Sequence, residues 1–599
     1  MEPESSKSLG VTRAAIGLVQ AVALYALYHA ARTKSWPATE PLIQAPLLLV
    51  SSMLPLVFLF GLGSIRRRTL SMWSAAAALL MIGLAVHDIA RSAGAVVVSE
   101  WFLDEGHAFS APSSTLWFLS AIFLFIGQSL VTAGDRDGKP IAHYPFYFDA
   151  AWKLALQLLL SGLFVGLFWL ILALGNQLLK LVQITVLDTL IDRAWFSIPV
   201  TTLALSTAIH LTDVRASMIE GTRTLVLIVL SWLLPGIALI VGIFLAALPF
   251  TGLQPLWRTS HAGFILLAVA SAFIVLINAI HRDGAHNGAP HRLLKATKIV
   301  AMIELAPIVA LAAVAIELRV GQYGWTVGRV YAAAIAVLVG FHAAGYLASM
   351  LRRGMGPSVL ERCNVLGAFV TVGIILLLSS PFGDPARIAV SSQVAALKSG
   401  KIPPDKFDFK FLRWQGERYG QDALAALAAD PGTDPATKDR VLQAQRSESR
   451  GNGGTPPTEP EFAASVTVYP AGRALPKSFV AQQDKWPENA QAVEPRCLSG
   501  SSVNCEAVLV DLDGDGVDEI VLADADGTAD YGYTYVFKID DGGVWRLAGD
   551  LRLNFGCPGV RDALRAGQFS ATPSPWKDFS ILGRAFRIGP PLPNPTNCP

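Results

Sequence analysis

Long apolar stretches separated by short polar segments occupy roughly residues 9–383 of the 599-residue chain. A helix needs about 20 mainly apolar residues to cross the hydrocarbon core of a bilayer. The sequence therefore predicts about eleven transmembrane helices, at roughly 9–31, 42–65, 69–90, 113–133, 154–183, 196–212, 224–249, 261–280, 299–318, 329–351 and 363–382. The sixth of these stretches is short and is interrupted by Pro199, Thr201 and Thr202, so whether it spans completely is left open.

Basic residues are distributed unevenly between the polar segments. If the N-terminus is cytoplasmic, the cytoplasmic segments hold about 17 Lys and Arg, including the Arg66–Arg68 run, against roughly 8 on the other side. The positive-inside rule then favours this orientation, and an odd number of crossings places the tail outside. We expect a multi-pass protein of a bacterial inner membrane, surrounded by lipid, with a cytoplasmic N-terminus and a periplasmic C-terminal domain.

The tail after residue 383 has the pattern of soluble protein. Asp384 is a suitable N-cap and Pro385 a suitable first-turn residue, and helical periodicity continues to 446. Residues 447–460 are rich in Gly, Ser, Pro and Thr, which indicates a linker. Strand-like runs come next, at 464–469, 506–511, 519–523, 532–539 and 543–548. The predicted fold is an all-α polytopic bundle (1–383), a helical periplasmic connector (384–446), the linker, and a small β-rich, disulfide-bonded domain (461–599).

Composition agrees with this division and excludes one class of partner. Hydrophobic residues make up 52% and charged residues 16% of the chain, whereas soluble domains carry nearer a quarter charged residues. The formal net charge is only +2, so nothing indicates a nucleic-acid-binding protein.

Four of the five cysteines lie in the tail, while Cys363 lies alone in an apolar segment. An even set confined to one module predicts disulfides, which persist only in an oxidising compartment. Four free thiols in a cytoplasmic domain is the alternative. We expect one bridge to close the short loop between Cys497 and Cys505, and the other to join Cys557 to Cys598 and so restrain the C-terminus.

An acidic loop joins two of the predicted strands. Asp511, Asp513 and Asp515 stand at positions 1, 3 and 5, position 7 (Val517) offers a carbonyl, and Glu519 stands at position 9. Oxygen ligands at this spacing suit a hard cation, with calcium in a structural role. The spacing resembles the calcium turn of FG-GAP and VCBS-type β-propeller repeats, although only one copy is present. A metal-free turn stabilised by Asp side chains is the alternative.

Two ionisable residues lie at similar depth in the ninth and tenth apolar stretches. Glu304 precedes Pro307 by three residues, and His342 lies in the following, antiparallel segment. Ionisable groups in hydrocarbon are expensive and therefore mark candidate functional sites. We expect the pair to touch and to share a proton or a cation. The alternative is that Glu304 pairs with Lys298 or extends towards the membrane surface.

Function is less constrained than architecture, and no oligomeric state is predicted. The bundle is interpreted as the anchor of a periplasmic interaction or structural module with a protein partner; the alternative is a transporter or an ion- or proton-conducting protein that uses Glu304 and His342. An integral enzyme acting on lipid or glycan ranks third, because the chain has no GxSxG, Gly-rich phosphate loop or HExxH motif.

Two groups of residues carry a family resemblance. The first is Phe148–Lys153 with Gly162–Trp169, and the second runs from Asp384–Arg387 through Ser391–Val394, Lys406–Phe409 and Leu412–Arg413 to Arg418–Gly420. The chain resembles, over roughly residues 40–430, a family of bacterial inner-membrane proteins known only as a domain of unknown function. The resemblance implies a membrane location and supplies no catalytic residues.

Overall fold

The computed structural model forms two compact units, Met1–Arg446 and Ser447–Pro599, each of which is described by itself. It describes the chain apart from 1–2, 93–110, 215, 255–260, 283–290, 352–355, 405, 447–461, 463–465, 471, 483–504, 525–531, 541, 554–558, 569–578, 582–583 and 587–599.

The first unit is a bundle of long helices. Among the described residues, eleven helices are long and apolar enough to cross a membrane, which confirms the predicted helical membrane bundle. The sixth of them is a continuous helix that includes Pro199. The helices are α1 (Pro3–Thr33), α2 (Pro41–Gly61), α3 (Arg67–Arg91), α4 (Ser114–Asp137), α5 (Tyr144–Leu181), the short α6 (Val186–Ile191), α7 (Ala194–Val214), α8 (Ala216–Thr251), α9 (Ala262–His281), α10 (Arg292–Tyr323), α11 (Val327–Leu351) and α12 (Gly356–Leu378).

Two large apolar clusters lie in the described part of the bundle, beside several smaller ones. The larger cluster contains residues of the five helices α8, α9, α10, α11 and α12, such as Leu234, Phe273, Leu305 and Tyr346. The other joins α2, α3 and α4 to Ile375 of α12. Large apolar side chains such as Leu163 and Ile171 of α5 are exposed on the outer surface, as expected of a surface that faces lipid rather than water.

The bundle has two ends, to which we give names. The N-terminal face carries Arg13, Ser64 and Asp213, which lie close together although they come from different parts of the chain. The tail face carries the ends of α3 and α12, where Arg91 meets Asp384. These groupings are those that successive antiparallel crossings produce.

Four further helices belong to the same unit and come after α12. They are α13 (Pro385–Lys398), α14 (Phe409–Trp414), α15 (Glu417–Ala429) and α16 (Pro435–Arg446). As expected from the sequence, Asp384 caps α13, because its Oδ1 accepts a hydrogen bond from the Ala386 amide at 2.9 Å. The four helices share a core that includes Val390, Leu412 and Leu424, against which Val327 of α11 packs. The connector is therefore packed against the bundle.

The second unit contains a five-stranded sheet. Its strands are β1 (Val466–Tyr469), β2 (Cys505–Val510), β3 (Glu519–Asp524), β4 (Gly532–Ile539) and β5 (Trp545–Leu553), ordered β1-β2-β3-β4-β5. Strand β1 is parallel to β2, and the other pairs are antiparallel. Phe479 of the short helix α17 (Lys477–Val480), Ile520, Phe537 and Trp545 form its main core. Helix α18 (Val560–Arg565) and the hairpin of β6 (Phe579–Ile581) and β7 (Arg584–Phe586) complete the unit. The predicted β-rich C-terminal region is confirmed.

Candidate functional site

A buried ion cluster lies on the tail face, which we call the tail-face cluster: His87, Asp88, Arg91, Ser113 and Asp384. Arg91 donates to Asp88 Oδ1 at 2.7 Å from Nη2 and at 3.1 Å from Nε, as the three-residue spacing on α3 predicts. Asp88 also accepts the Ser113 amide at 2.7 Å and its hydroxyl at 2.9 Å. The end of α3 is thereby joined to the start of α4.

Asp384 extends the cluster to the connector. Its Oδ2 lies 3.1 Å from His87 Nε2 and its Oδ1 lies 3.5 Å from Arg91 Nη1, and the residue is 1% exposed. Burial by itself would raise the pKa of Asp384, but the hydrogen bond from His87, the charge of Arg91 and the Ala386 amide hold that pKa below its ordinary value. The N-cap of α13 is therefore also a buried ion-pair partner of α3.

A tyrosine on α15 and a small cavity border the tail-face cluster. Burial and the charge of Asp384 raise the pKa of Tyr419 on α15. A cavity with room for about one water molecule lies beside the cluster, lined by His87, Arg91, Tyr331 and Ser379, among others. The buried Ser379 hydroxyl has no hydrogen-bond partner among the described residues. The cavity lies within the bundle, between α3, α4, α11 and the end of α12.

The N-terminal face has a second ion cluster. Asp213 at the end of α7 accepts from Arg13 Nη2 at 2.7 Å, Lys153 Nζ at 2.7 Å and Gln157 Nε2 at 3.2 Å. Arg13, which is 1% exposed, also donates to the Leu62 carbonyl at 2.8 Å. This cluster joins α1, α5 and α7, and the three donors to Asp213 favour a structural role.

Glu304 and His342 are both buried, but the structure does not bring them together. Glu304 on α10 faces α8, where its Oε1 lies next to Gly242. His342 on α11 faces α12, where its ring lies against Gly367, and its Nδ1 lies 2.9 Å from the Leu338 carbonyl. No hydrogen bond or ion pair joins them among the described residues, so the expected contact is corrected. Equal depth brings two side chains together only if both helices also turn them towards each other.

The structure shows neither of the two alternatives for Glu304, which were an ion pair with Lys298 and an extension towards the membrane surface. Lys298 Nζ lies 3.1 Å from His281 Nδ1, and His281 Nε2 lies 3.5 Å from Glu361 Oε1. Lys298 is therefore engaged at the junction of α9, α10 and α12. Glu304 is only 8% exposed, so its carboxylate does not extend to the surface.

The acidic loop between β2 and β3 brings part of the predicted ligand set together. Carboxylate oxygens of Asp511, Asp513 and Glu519 lie within 4.8 Å of one another, whereas Asp515 is outside this group. The Val517 amide donates to Asp515 Oδ1 at 2.8 Å. Asp511 accepts the amides of Gly514 at 2.7 Å and Gly516 at 3.0 Å. The loop thus has the turn geometry that both interpretations require.

A lysine from the neighbouring strand approaches this loop. Lys538 Nζ on β4 contacts Asp513, lies 3.0 Å from Asp515 Oδ2 and lies 4.0 Å from Glu519 Oε1. Its hydrogen bonds to Asp513 and Asp515 raise the pKa of Lys538. An ammonium group therefore lies where the predicted calcium would bind, and calcium would have to displace it.

Of the cysteines, the structure describes Cys363 and Cys505. Cys363 is a buried free thiol on α12, and Cys505 is fully buried at the start of β2. Cys497, Cys557 and Cys598 lie outside the described residues, so the disulfide pairing stays a prediction.

The tail-face contact between His87 and Asp384 was not predicted. Its partners are separated by 297 positions in the sequence, and no local spacing links them. The available signals were weaker: two ionisable residues one turn from the end of α3, and an Asp-Pro at the start of a helix. Asp384 also belongs to the stretch that carries the family resemblance.

The fold defines a multi-pass membrane protein with a helical connector on one face of its bundle. A family model described as a domain of unknown function, DUF4153, matches residues 21–429. The chain belongs to this family, which agrees with the resemblance found in the sequence. Comparison with curated proteins and with solved structures gave no match.

Asp384 provides a pH-dependent test of the tail-face cluster. Because its pKa is lowered in the folded protein, its contribution to stability is present above the ordinary aspartate pKa of about 3.9 and is lost as the pH falls through the folded value. Asp384→Asn keeps an N-cap but removes the charge. We expect it to destabilise the full-length protein by roughly 3 kcal/mol at neutral pH, the lower end for a broken buried pair, and by progressively less as the pH falls below about 4. Thermal unfolding measured across this range checks it.

Asp434→Asn is the matched control. Asp434 also precedes a proline and caps a helix, since its Oδ1 accepts the Thr437 amide at 2.9 Å, but its residue is exposed. Equal melting temperatures for the two variants at neutral pH would contradict a stabilising role for the buried cluster.

Proposed function

We propose that this protein is an anchor of the bacterial inner membrane whose bundle holds the β-rich C-terminal unit in the periplasm, where that unit binds a protein partner. The observation that supports anchoring most is the tail-face cluster. Its buried bonds to Asp384 fix the first residue of the connector to α3, so that the chain beyond the bundle starts from a defined position.

The proposed orientation has two independent supports. Basic residues are concentrated in the segments that a cytoplasmic N-terminus would place inside. The four tail cysteines suit an oxidising compartment. Both observations support the proposal that the C-terminal unit is periplasmic.

A second candidate function is transport or conduction of an ion. One observation favours it: Glu304 is buried within the bundle, and its Oε2 has no hydrogen-bond partner among the described residues. An intramembrane carboxylate of this kind is characteristic of ion and proton pathways. Enzymatic action on lipid or glycan has no comparable support.

The orientation predicts the activity of reporter fusions. Alkaline phosphatase, which needs the periplasm, should be active when fused after residue 460 and inactive when fused after Leu351, at the N-terminal face. A green fluorescent protein fusion should give the reverse pattern. Phosphatase activity only at Leu351 would mean that the proposed orientation is wrong.

The interaction role predicts site-specific crosslinks. Val517, Val544 and Leu551 are large apolar residues on the exposed surface of the C-terminal unit, whereas Leu522 is fully buried. A photoreactive amino acid at the three exposed positions should give a discrete protein adduct in intact cells, and one at Leu522 should give none. If the exposed positions give no adduct beyond the Leu522 background, the C-terminal unit does not bind a partner there.

We also propose that the loop at Asp511, Asp513, Asp515 and Glu519 binds calcium, with the Val517 carbonyl. A ligand bound only by the folded state raises its stability, so millimolar calcium should raise the melting temperature of the full-length protein. Lys538→Met should enlarge the shift by removing a competing cation, and Asp513→Asn/Asp515→Asn should abolish it. If calcium raises the melting temperature of neither the native protein nor Lys538→Met, the loop is the metal-free turn.

A further inference from the structure

Glu304 lies on the side of α10 that faces the rest of the bundle. The buried positions of this helix include Ala301, Leu305, Ile308 and Ala312, and Glu304 lies among them. The residue is 8% exposed. Its position along the helix is about 18 Å from Arg292, at a rise of about 1.5 Å per residue. The carboxylate is therefore inside the bundle, well away from both ends of the helix.

The backbone of α8 leaves space for this carboxylate at one glycine. A Cβ atom added at Gly242 would lie 2.9 Å from Glu304 Oε1, closer than an ordinary van der Waals contact. Only glycine at position 242 therefore permits the present approach. By contrast, a Cβ atom at Gly236 on the same helix would have no heavy atom within 4 Å.

The described residues supply no group that neutralises the carboxylate. Glu304 Oε2 is buried without a hydrogen-bond partner. The ionisable groups nearest in sequence or on the packed helices are otherwise engaged: Lys298 with His281, His342 with the Leu338 carbonyl, and Tyr346 with Asn278 and Asn364. A buried polar atom without a hydrogen-bond partner in the protein needs an ion, a proton or a water molecule to satisfy it.

A proline lies about one turn beyond Glu304 on α10. Pro307 within α10 has no amide hydrogen, so the carbonyl of Ile303, four residues earlier, receives no helical hydrogen bond from it. The Ile303 carbonyl, next to Glu304 in the sequence, therefore lacks a helical hydrogen bond from position 307.

We propose that Glu304, bordered by Gly242, is an intramembrane binding site for a monovalent cation, either a proton or sodium. One carboxylate balances a single positive charge, whereas calcium takes six to eight oxygen ligands, often from several carboxylates. The site goes beyond the anchoring function and does not depend on it. Its failure would leave the orientation and partner experiments unaffected.

Labelling with dicyclohexylcarbodiimide tests the site in the full-length protein. This apolar reagent reacts with a protonated carboxyl: the acid proton moves to a carbodiimide nitrogen, the carboxylate oxygen adds to the central carbon, and acyl transfer to nitrogen gives a stable N-acylurea. Mass spectrometry of peptides should find the adduct at Glu304 and not at Glu317, which is exposed on the same helix. Above the midpoint of its titration, labelling should fall about tenfold per pH unit.

The two cations give different results. If sodium binds, sodium chloride should protect Glu304 and an equal concentration of choline chloride should not. If the site takes only protons, the two salts should give equal labelling at every pH. Absence of labelling at all pH values and in both salts, or labelling that neither pH nor sodium changes, would overturn the proposal.

Variants of α8 test the role of Gly242 separately. Gly242→Ala should displace the carboxylate and change the labelling of Glu304 severalfold, while Gly236→Ala should leave it unchanged. Size-exclusion profiles and melting temperatures identify variants that fail to fold. The labelling of Glu304 in the native protein does not depend on these variants. Equal labelling in a folded Gly242→Ala variant would overturn the assignment of Gly242 to the site.

Discussion

The cost of placing a charge in hydrocarbon determines where the charged side chains of this bundle lie. An unpaired charge at the bilayer centre costs at least a few kcal/mol, whereas a charge at a helix end can be paired and hydrogen-bonded. Asp213 meets this requirement through Arg13, Lys153 and Gln157 on one face. Asp88 meets it through Arg91 and Ser113 on the other face. Each carboxylate accepts hydrogen bonds from more than one segment of the chain. The hydrogen bonds that stabilise the charge therefore also determine which helix ends lie together.

The same requirement explains how the connector is attached. An Asp at the start of a helix normally caps that helix alone, as Asp434 does for α16. Asp384 caps α13 and in addition accepts from His87 and Arg91 of α3. Moving it away from the bundle would break its contacts with His87 and Arg91, and Arg91 would keep only its bonds to Asp88. The connector is consequently held by a few buried bonds as well as by apolar packing.

The sequence was sufficient wherever a feature depends on local pattern. Helix length against bilayer thickness gave the spanning helices, Asp384-Pro385 gave the start of α13, and the spacing of Asp and Gly gave the turn at 511–519. What it could not give was the rotation of each helix about its axis. That rotation depends on every neighbour at once, and it decides that Glu304 faces Gly242 while His342 faces Gly367. Lys538 was missed for a related reason, since its approach to Asp515 depends on the register of β3 and β4.

Glu304 lacks the hydrogen-bonded partners that the carboxylates at the two faces have. Its helix, α10, also contacts the connector. At the tail-face end of α10, Gln393 of α13 donates to the Tyr323 carbonyl at 2.7 Å and, just beyond the helix, to the Trp325 carbonyl at 3.0 Å. A displacement of α10 caused by a change of charge at Glu304 would therefore either break these bonds or move α13 with it. Because α13 is held to α3 through Asp384 as well, it cannot move with α10 without straining the tail-face cluster. The proposed cation site at Glu304 and the position of the connector would thus be linked through α10, so that the two proposals are compatible in a single bundle.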